Sequence, residues 1–362
     1  GGQLAPPVMG ATAFLIAEFL DIPYIEVVVA AALPALIYYF ILFAQVDFMA
    51  KDNNLKGLGR SELPRFSLLL RTRGLHLIPI FLLIFLMFGI GLQPAKSAII
   101  SGFSAYFFGL IMRESKLNKE SLSAFMNSVS QTMIPIILIG GAAGIIVGVL
   151  NITGLGFNLT LGLTEIGKNY GLISMLILTG MVAIILGMGM PTAAVYIVLS
   201  VVLAPAVIEM GIPVLAAHLF IFYFGLLSMI TPPVAVASFV AAGIADASMW
   251  KTSFTAMKLG IAAYLLPFLF VFNDSLLFKG TWIEILYISL TCLVSGLILS
   301  HVLRVNLKSD VRQILSNFFY LMCSILIGTS TLWLGRDSNL IILVLFFGIL
   351  LFYRANKNEK LD

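Results

Sequence analysis

Charge is scarce in this sequence. Only 10% of its 362 residues are Asp, Glu, Lys or Arg, whereas 60% are hydrophobic. Soluble domains carry about 25% charged residues, so a soluble fold is excluded and the chain reads as an integral membrane protein. Histidine and cysteine are nearly missing as well, with three and two copies. The histidines are scattered and no H-E-x-x-H or C-x-x-C occurs, which argues against an intramembrane hydrolase or a zinc centre. Cys292 and Cys323 lie in apolar stretches and read as packing residues. A channel would need a continuous pore lined by polar or charged rings, which hairpins of small residues fit poorly. The pI of about 9.0 comes from basic residues in loops between apolar runs. It therefore carries orientation in a lipid bilayer and no nucleic-acid meaning. No cofactor is expected.

Apolar runs long enough for helices occupy 8–21, 25–48, 76–93, 97–112, 131–150, 170–187, 193–210, 213–229, 235–248, 253–273, 281–301, 315–334 and 338–353. Such runs make an all-α polytopic membrane protein rather than a barrel of alternating strands. The runs 170–187 and 193–210 are joined by "GMGMPT" without any charge, which predicts a re-entrant hairpin turning back at mid-membrane. The runs 213–229 and 235–248 are joined by "ITPPV". Pro232 and Pro233 donate no backbone N–H and clash with the carbonyl a turn earlier, so this crossing helix breaks in its middle. In hydrocarbon a break survives only where protein or a watery cavity satisfies the freed backbone groups.

The basic residues fix sidedness. With the hairpin entering and leaving on one side, the loops 49–75, 113–130, 249–258, 302–314 and 354–362 share a face and hold 17 of the 21 Lys and Arg. Only Lys96, Lys168, Lys279 and Arg336 fall opposite, so the positive-inside rule places the five loops and the C-terminus in the cytoplasm. Two full crossings in place of the hairpin would keep the same phase; the uncharged, Gly-rich turn favours the hairpin. The loop 49–75 reads either as a solvated segment or as one holding a short basic surface helix.

An internal repeat is also legible. "GGQLAPPVMGATAFLIAEF" resembles "LSMITPPVAVASFVAAGIA", with Pro-Pro-Val followed by a small-residue helix carrying one hydroxyl (Thr12, Ser238), a Phe (Phe14, Phe239) and a late acidic residue (Glu18, Asp246). Aligned on Pro-Pro, the hydroxyls coincide and the Phe residues are offset by one. By the charge map the first copy runs outward and the second inward. Inverted repeats with paired broken helices point to a secondary transporter whose substrate and ion sites lie near the midplane. Half-helix N-termini there attract anions, and exposed carbonyls coordinate Na⁺.

"GGQLAPPVMGATAFLIAEFLDIPY", "GMGMPTAAVYIVLSVVLAPAVIEMGI" and "HLFIFYFGLLSMITPPVAVASFVAAGIA" resemble the large membrane subunit of TRAP (tripartite ATP-independent periplasmic) transporters, closest to the fused-permease branch that works with TAXI-type binding proteins. The resemblance covers residues 1 to about 275. It implies an elevator-type symporter in a bacterial or archaeal inner membrane. A periplasmic solute-binding protein would deliver a small organic anion, a small membrane subunit would be fused or separate, and a Na⁺ gradient would drive uptake. A stand-alone Na⁺-coupled anion symporter of the related elevator type is the alternative. The chain opens on Gly-Gly inside a motif, so it is expected to be a fragment whose N-terminal part, including a first hairpin, lies elsewhere. Residues 1–48 would then end a first repeat, 49–75 form a basic cytoplasmic loop, 76–275 hold the second half, and 276–362 add transmembrane helices.

Carried over by motif, the hairpin tip is Gly187, Met188, Gly189, Met190, Pro191 and Thr192, and the second break is Ser228, Met229, Ile230, Thr231, Pro232 and Pro233. The first break is Gly1, Gly2, Gln3, Leu4, Ala5, Pro6 and Pro7. Carbonyls around Gly187, Gly189, Thr192, Ile230 and Thr231 would hold Na⁺, with Thr192 and Thr231 adding hydroxyls. Gly187 and Gly189 would allow positive φ and close approach. Thr12 and Ser238 face substrate or bond back to a carbonyl of their own helix. Glu18, Asp21 and Glu26 read as solvated at the outer interface, Glu18 being the strongest candidate for a role. Asp246 and Glu209 read as hydrated, and His218 as a surface histidine facing a partner. Gly140, Gly141, Gly144 and Gly148 form a small-residue face expected to pack against a helix. Asn151 and Asn158 match the glycosylation pattern by chance.

Overall fold

The computed structural model describes residues 1–6, 9–57, 59, 63, 66–111 and 119–304, and is helical without a strand among them. The expected runs at 315–334 and 338–353 lie outside the described residues. In chain order the α-helices are α1 (Ala11–Leu20), α2 (Tyr24–Asp52), α3 (Phe66–Arg73), α4 (Ile78–Ile84), α5 (Pro94–Ile111), α6 (Lys119–Thr153), α7 (Leu155–Tyr170) and α8 (Leu172–Gly187). They continue with α9 (Thr192–Val202), α10 (Ala204–Glu209), α11 (Val214–Leu227), α12 (Val236–Ile244), α13 (Met249–Leu259), α14 (Ile261–Phe272) and α15 (Trp282–Arg304).

Length sorts these helices into two kinds. A bilayer core needs about 20 residues of helix. Among the described residues Tyr24–Asp52, Met249–Phe272 and Trp282–Ser300 are long and apolar enough to cross a membrane. By contrast α1, α8, α9 and α11 are apolar but have only 10, 16, 11 and 14 residues. At about 1.5 Å per residue each falls short of the hydrocarbon thickness. These half-length helices are the ones the sequence assigned to a hairpin and to broken crossings. Pro205 divides the expected run 193–210 into α9 and α10, since it has no N–H to continue the ladder.

Two segments expected as loops are helical. Residues 151–169 hold all but the last residue of α7, whose buried positions Gly156, Thr160, Leu163, Thr164 and Gly167 recur at helical spacing. Hydropathy misses this face because it is built of glycines and hydroxyls. Thr160 donates to the Gly156 carbonyl at 3.0 Å and Thr164 donates to that of Thr160, so the hydroxyls need no outside partner. Residues 249–258, expected as cytoplasmic loop, form α13 and join α14 into one crossing. The small-residue face of α6 also departs from expectation. A Cβ on Gly141, Gly144 or Gly148 would meet nothing within 4 Å, so no helix among the described residues packs there.

The core centres on α11, which is buried on all sides from Leu215 to Gly225 and packs on α8, α9, α10 and α14. A helix apolar all round must be enclosed. Along its seam with α14, Phe220 and Phe224 meet Phe268 edge-on at 5.5 and 5.7 Å, and Tyr223 meets Phe270 at 5.5 Å. Such pairs contribute about 0.5–1.5 kcal/mol each beyond their burial. Against α9 the approach is closer, because a Cβ on Gly225 would lie 2.7 Å from Val195 Cγ1. Gly225→Ala is therefore expected to overpack this seam, costing about 1–3 kcal/mol and lowering the melting temperature of the purified protein. Adding Val195→Ala should recover most of that loss, and no recovery would place the strain elsewhere.

Candidate functional site

The hairpin tip and the second break meet directly. Helix α8 ends at Gly187, Met188 turns extended, Gly189 takes φ +78°, and Pro191 precedes the first residue of α9. Opposite, Ser228 follows the last residue of α11, and its Oγ lies 3.0 Å from the Gly187 carbonyl oxygen and 2.6 Å from that of Gly225. One hydroxyl proton thus serves carbonyls on both elements. The expectation of positive φ holds for Gly189 alone. Gly187 is helical, and its lack of a side chain matters because a Cβ would lie 2.9 Å from Ser228 Oγ and 3.2 Å from the Gly225 carbonyl oxygen. On the far side of the turn, Gly189 faces Val234, 3.8 Å from where a Cβ would stand.

After Ser228 the chain closes a tight turn, with Met229, Ile230 and Thr231 donating backward to Leu226 and Leu227 carbonyls. The Pro232–Pro233 peptide is cis. Ala235 sits at φ 30°, ψ 48°, fully buried, immediately before α12. A left-handed non-glycine residue costs about 1–2 kcal/mol, so the break holds local strain. Carbonyls of Gly189, Met190 and Ile230 accept no hydrogen bond from the described residues. Thr192, at the start of α9, and Thr231 are both partly exposed at this junction.

The first copy is placed differently. Pro7 and Val8 lie outside the described residues, and Gly1 to Pro6 form a turn closed by Leu4 N–H donating to the Gly1 carbonyl at 2.9 Å. Gly1 sits against Tyr39, and Gly2 and Gln3 are exposed. No hydrogen bond among the described residues joins this turn to the hairpin tip, although α1 packs on α9 and α11.

The copies nevertheless share a backbone signature. Gly10 and Ala235 have positive φ and stand four residues before Phe14 and Phe239, while Asp21 and Asp246 are left-handed and stand seven after. Each Asp ends its helix with the same closing bond, from Ile22 N–H to Ala17 and from Ala247 N–H to Ala242. The acidic partner of Asp246 is therefore Asp21 rather than Glu18. Matched on these ends, the hydroxyls of Thr12 and Ser238 fall one residue apart. Both are buried, and neither Thr12 Oγ1 nor Ser238 Oγ has a hydrogen-bond partner among the described residues. The back-bonding alternative is thus not what the structure shows.

Ionisable side chains stay outside. Glu18, Asp21, Glu26 and Asp246 are exposed, and Glu209 lies 3.8 Å from Lys168 at the surface. His218 overturns the expectation of a surface residue, being buried with Nδ1 2.7 Å from Tyr196 Oη. The pair bolts the hairpin arm α9 to α11, and Phe19 of α1 meets the Tyr196 ring edge-on at 5.9 Å. Tyr264 of α14, whose Oη is 2.6 Å from Thr231 Oγ1, also escaped sequence reading. A lone polar atom in an apolar run was the only signal for either. Tyr196→Phe leaves the buried imidazole without its partner and is expected to destabilise by about 1–3 kcal/mol. Thermal unfolding of the variant beside His218→Phe/Tyr196→Phe should show the double variant recovering part of the loss.

No curated protein matches the chain. A family model described as "Tripartite ATP-independent periplasmic transporter, DctM component" matches residues 1–302. The match extends beyond the quoted motifs into α15, and it takes in the hairpin, the broken helix and its earlier copy. The chain is thus a transporter permease and not an enzyme, and it belongs to the DctM family of tripartite ATP-independent periplasmic transporters.

Proposed function

We propose that this permease takes up a small organic anion across the inner membrane by Na⁺ symport, the anion being handed over by a periplasmic solute-binding protein of the TAXI type. The C-terminus faces the cytoplasm, a small membrane subunit completes the permease, and the hairpin with its broken helices moves as an elevator. The carrying observation is the meeting of Gly187 with Ser228, which brings the tip and the break into one site. Around it, free carbonyls at Gly189, Met190 and Ile230 suit a cation. The first turn of α12 carries Ser238, and that of α1 carries Thr12, each with an unused hydroxyl, and the positive ends of such helices suit an anion.

Uptake into proteoliposomes by the full-length permease, with its small subunit and with or without its binding protein, tests this across an imposed Na⁺ gradient. Organic acids and amino acids are screened together beside Pro232→Ala/Pro233→Ala. Uptake should need both Na⁺ and the binding protein and be lost in the variant. Uptake without the binding protein would instead support a stand-alone symporter, and equal uptake by the variant would remove the break from the site.

A second prediction separates binding from folding. A buried hydroxyl without a partner costs about 1–3 kcal/mol. Thr12→Val and Ser238→Ala should therefore raise the melting temperature while raising the half-saturating substrate concentration. A variant that melts lower, or transports with unchanged affinity, would show that its hydroxyl serves packing alone.

A further inference from the structure

The contact between Tyr264 and the break assigns a role to α14. Tyr264 Oη and the Leu227 carbonyl oxygen each lie 2.6 Å from Thr231 Oγ1. A threonine hydroxyl has one proton and two lone pairs, and a carbonyl oxygen only accepts. The Thr231 proton is therefore committed to Leu227, and the phenol must be the donor in the other bond. Thr231 keeps one lone pair, Tyr264 keeps its own, and neither has a proton left to offer. An oxygen cluster with lone pairs alone attracts a cation and repels an anion.

The approach of α14 is built into the backbone. Gly260, one turn before Tyr264, packs on Ile230 in the break, and a Cβ there would lie 2.9 Å from Ile230 Cδ1 and 3.0 Å from the Ala256 carbonyl oxygen. The same joint is gripped from behind. With its amide turned so that nitrogen donates to the Leu259 carbonyl at 2.8 Å, buried Gln45 of α2 lies 3.1 Å from Ser300 Oγ of α15. Tyr264 thus stands between the break and a joint that α2 and α15 hold in place.

We propose that Tyr264 is a positioning residue for the coupling cation: by donating to Thr231 it locks that hydroxyl in one rotamer and leaves it a cation ligand. This rests on the assignment of Thr231 to the Na⁺ site. Lacking the phenol, Thr231 is held by Leu227 alone and presents its oxygen less often in the ligand position.

The test is Na⁺-dependent uptake at saturating substrate by the full-length permease with its binding protein, comparing wild type, Tyr264→Phe and Thr231→Val. Tyr264→Phe removes one hydrogen bond and should raise the half-saturating Na⁺ concentration about threefold to tenfold, more than it lowers the maximal rate. A merely structural role would lower the melting temperature or the maximal rate and leave the Na⁺ dependence in place. Where a variant reconstitutes poorly, the Na⁺-induced rise in melting temperature in detergent gives the same comparison. Shifts in both variants support the proposal. A shift in Thr231→Val alone overturns it and spares the Na⁺ site. A shift in Tyr264→Phe alone also overturns it, because Tyr264 would then not act through Thr231. No shift in either, or no Na⁺ response in wild type, overturns the site and the proposal together.

Discussion

Every backbone group freed by the break after α11 must find a partner away from bulk water, and this constraint organises the rest of the molecule. The solution is local and cross-element at once. Met229, Ile230 and Thr231 fold back on the last carbonyls of α11, while Ser228 spans from its own helix to Gly187 of the hairpin. That span is possible only if the hairpin lies nearly in backbone contact with α11, which requires glycine at both 187 and 225. The close seam encloses α11, and the aromatic contacts with α14 seal its other side. Two glycines and one serine therefore set how closely the hairpin can sit on the break.

The same constraint explains why the two copies resemble each other more in backbone than in sequence. A second half-helix starting from a strained entry must be held at its far end as well. Asp21 and Asp246 both close their helices in the left-handed region with one bond back across the last turn. Asp tolerates that conformation better than most non-glycine residues, because its short polar side chain can bond locally. Between the fixed ends the residues are free to vary, and the hydroxyl has moved by one position relative to the ends. A sequence alignment anchored on the prolines sees the hydroxyls coincide; the helix ends show the offset.

Legibility followed the physics of each signal. Pro232, Pro233, Gly189 and the absence of charge between α8 and α9 act on the chain locally, so the hairpin and the break could be read from the sequence. Helix α7 could not, because hydropathy registers lipid-facing side chains and α7 buries glycines and threonines that satisfy themselves. His218 is paired with Tyr196, 22 residues earlier on another helix, and Thr231 with Tyr264, 33 residues later. Neither pairing leaves a periodic mark. Gly141, Gly144 and Gly148 mark the opposite failure, since a small-residue face says that a helix could approach and not that one does.

What the site lacks bears on how coupling would arise. Among the described residues no Asp, Glu, Lys or Arg is found buried, and the buried ionisable side chains paired near the site elements are His218 and Tyr196. A fixed carboxylate or ammonium in hydrocarbon is costly, and a moving hairpin would carry that cost through every step of its cycle. Carbonyls and hydroxyls avoid it, because they orient partial charges without introducing a net one. Such a site binds a lone anion or a lone cation poorly, since either brings an uncompensated charge into a medium that disfavours it. Bound together, each offsets the desolvation of the other. On the proposed function, the cation would supply the compensation that a fixed residue would otherwise give, and would leave with the anion it helped to bring in.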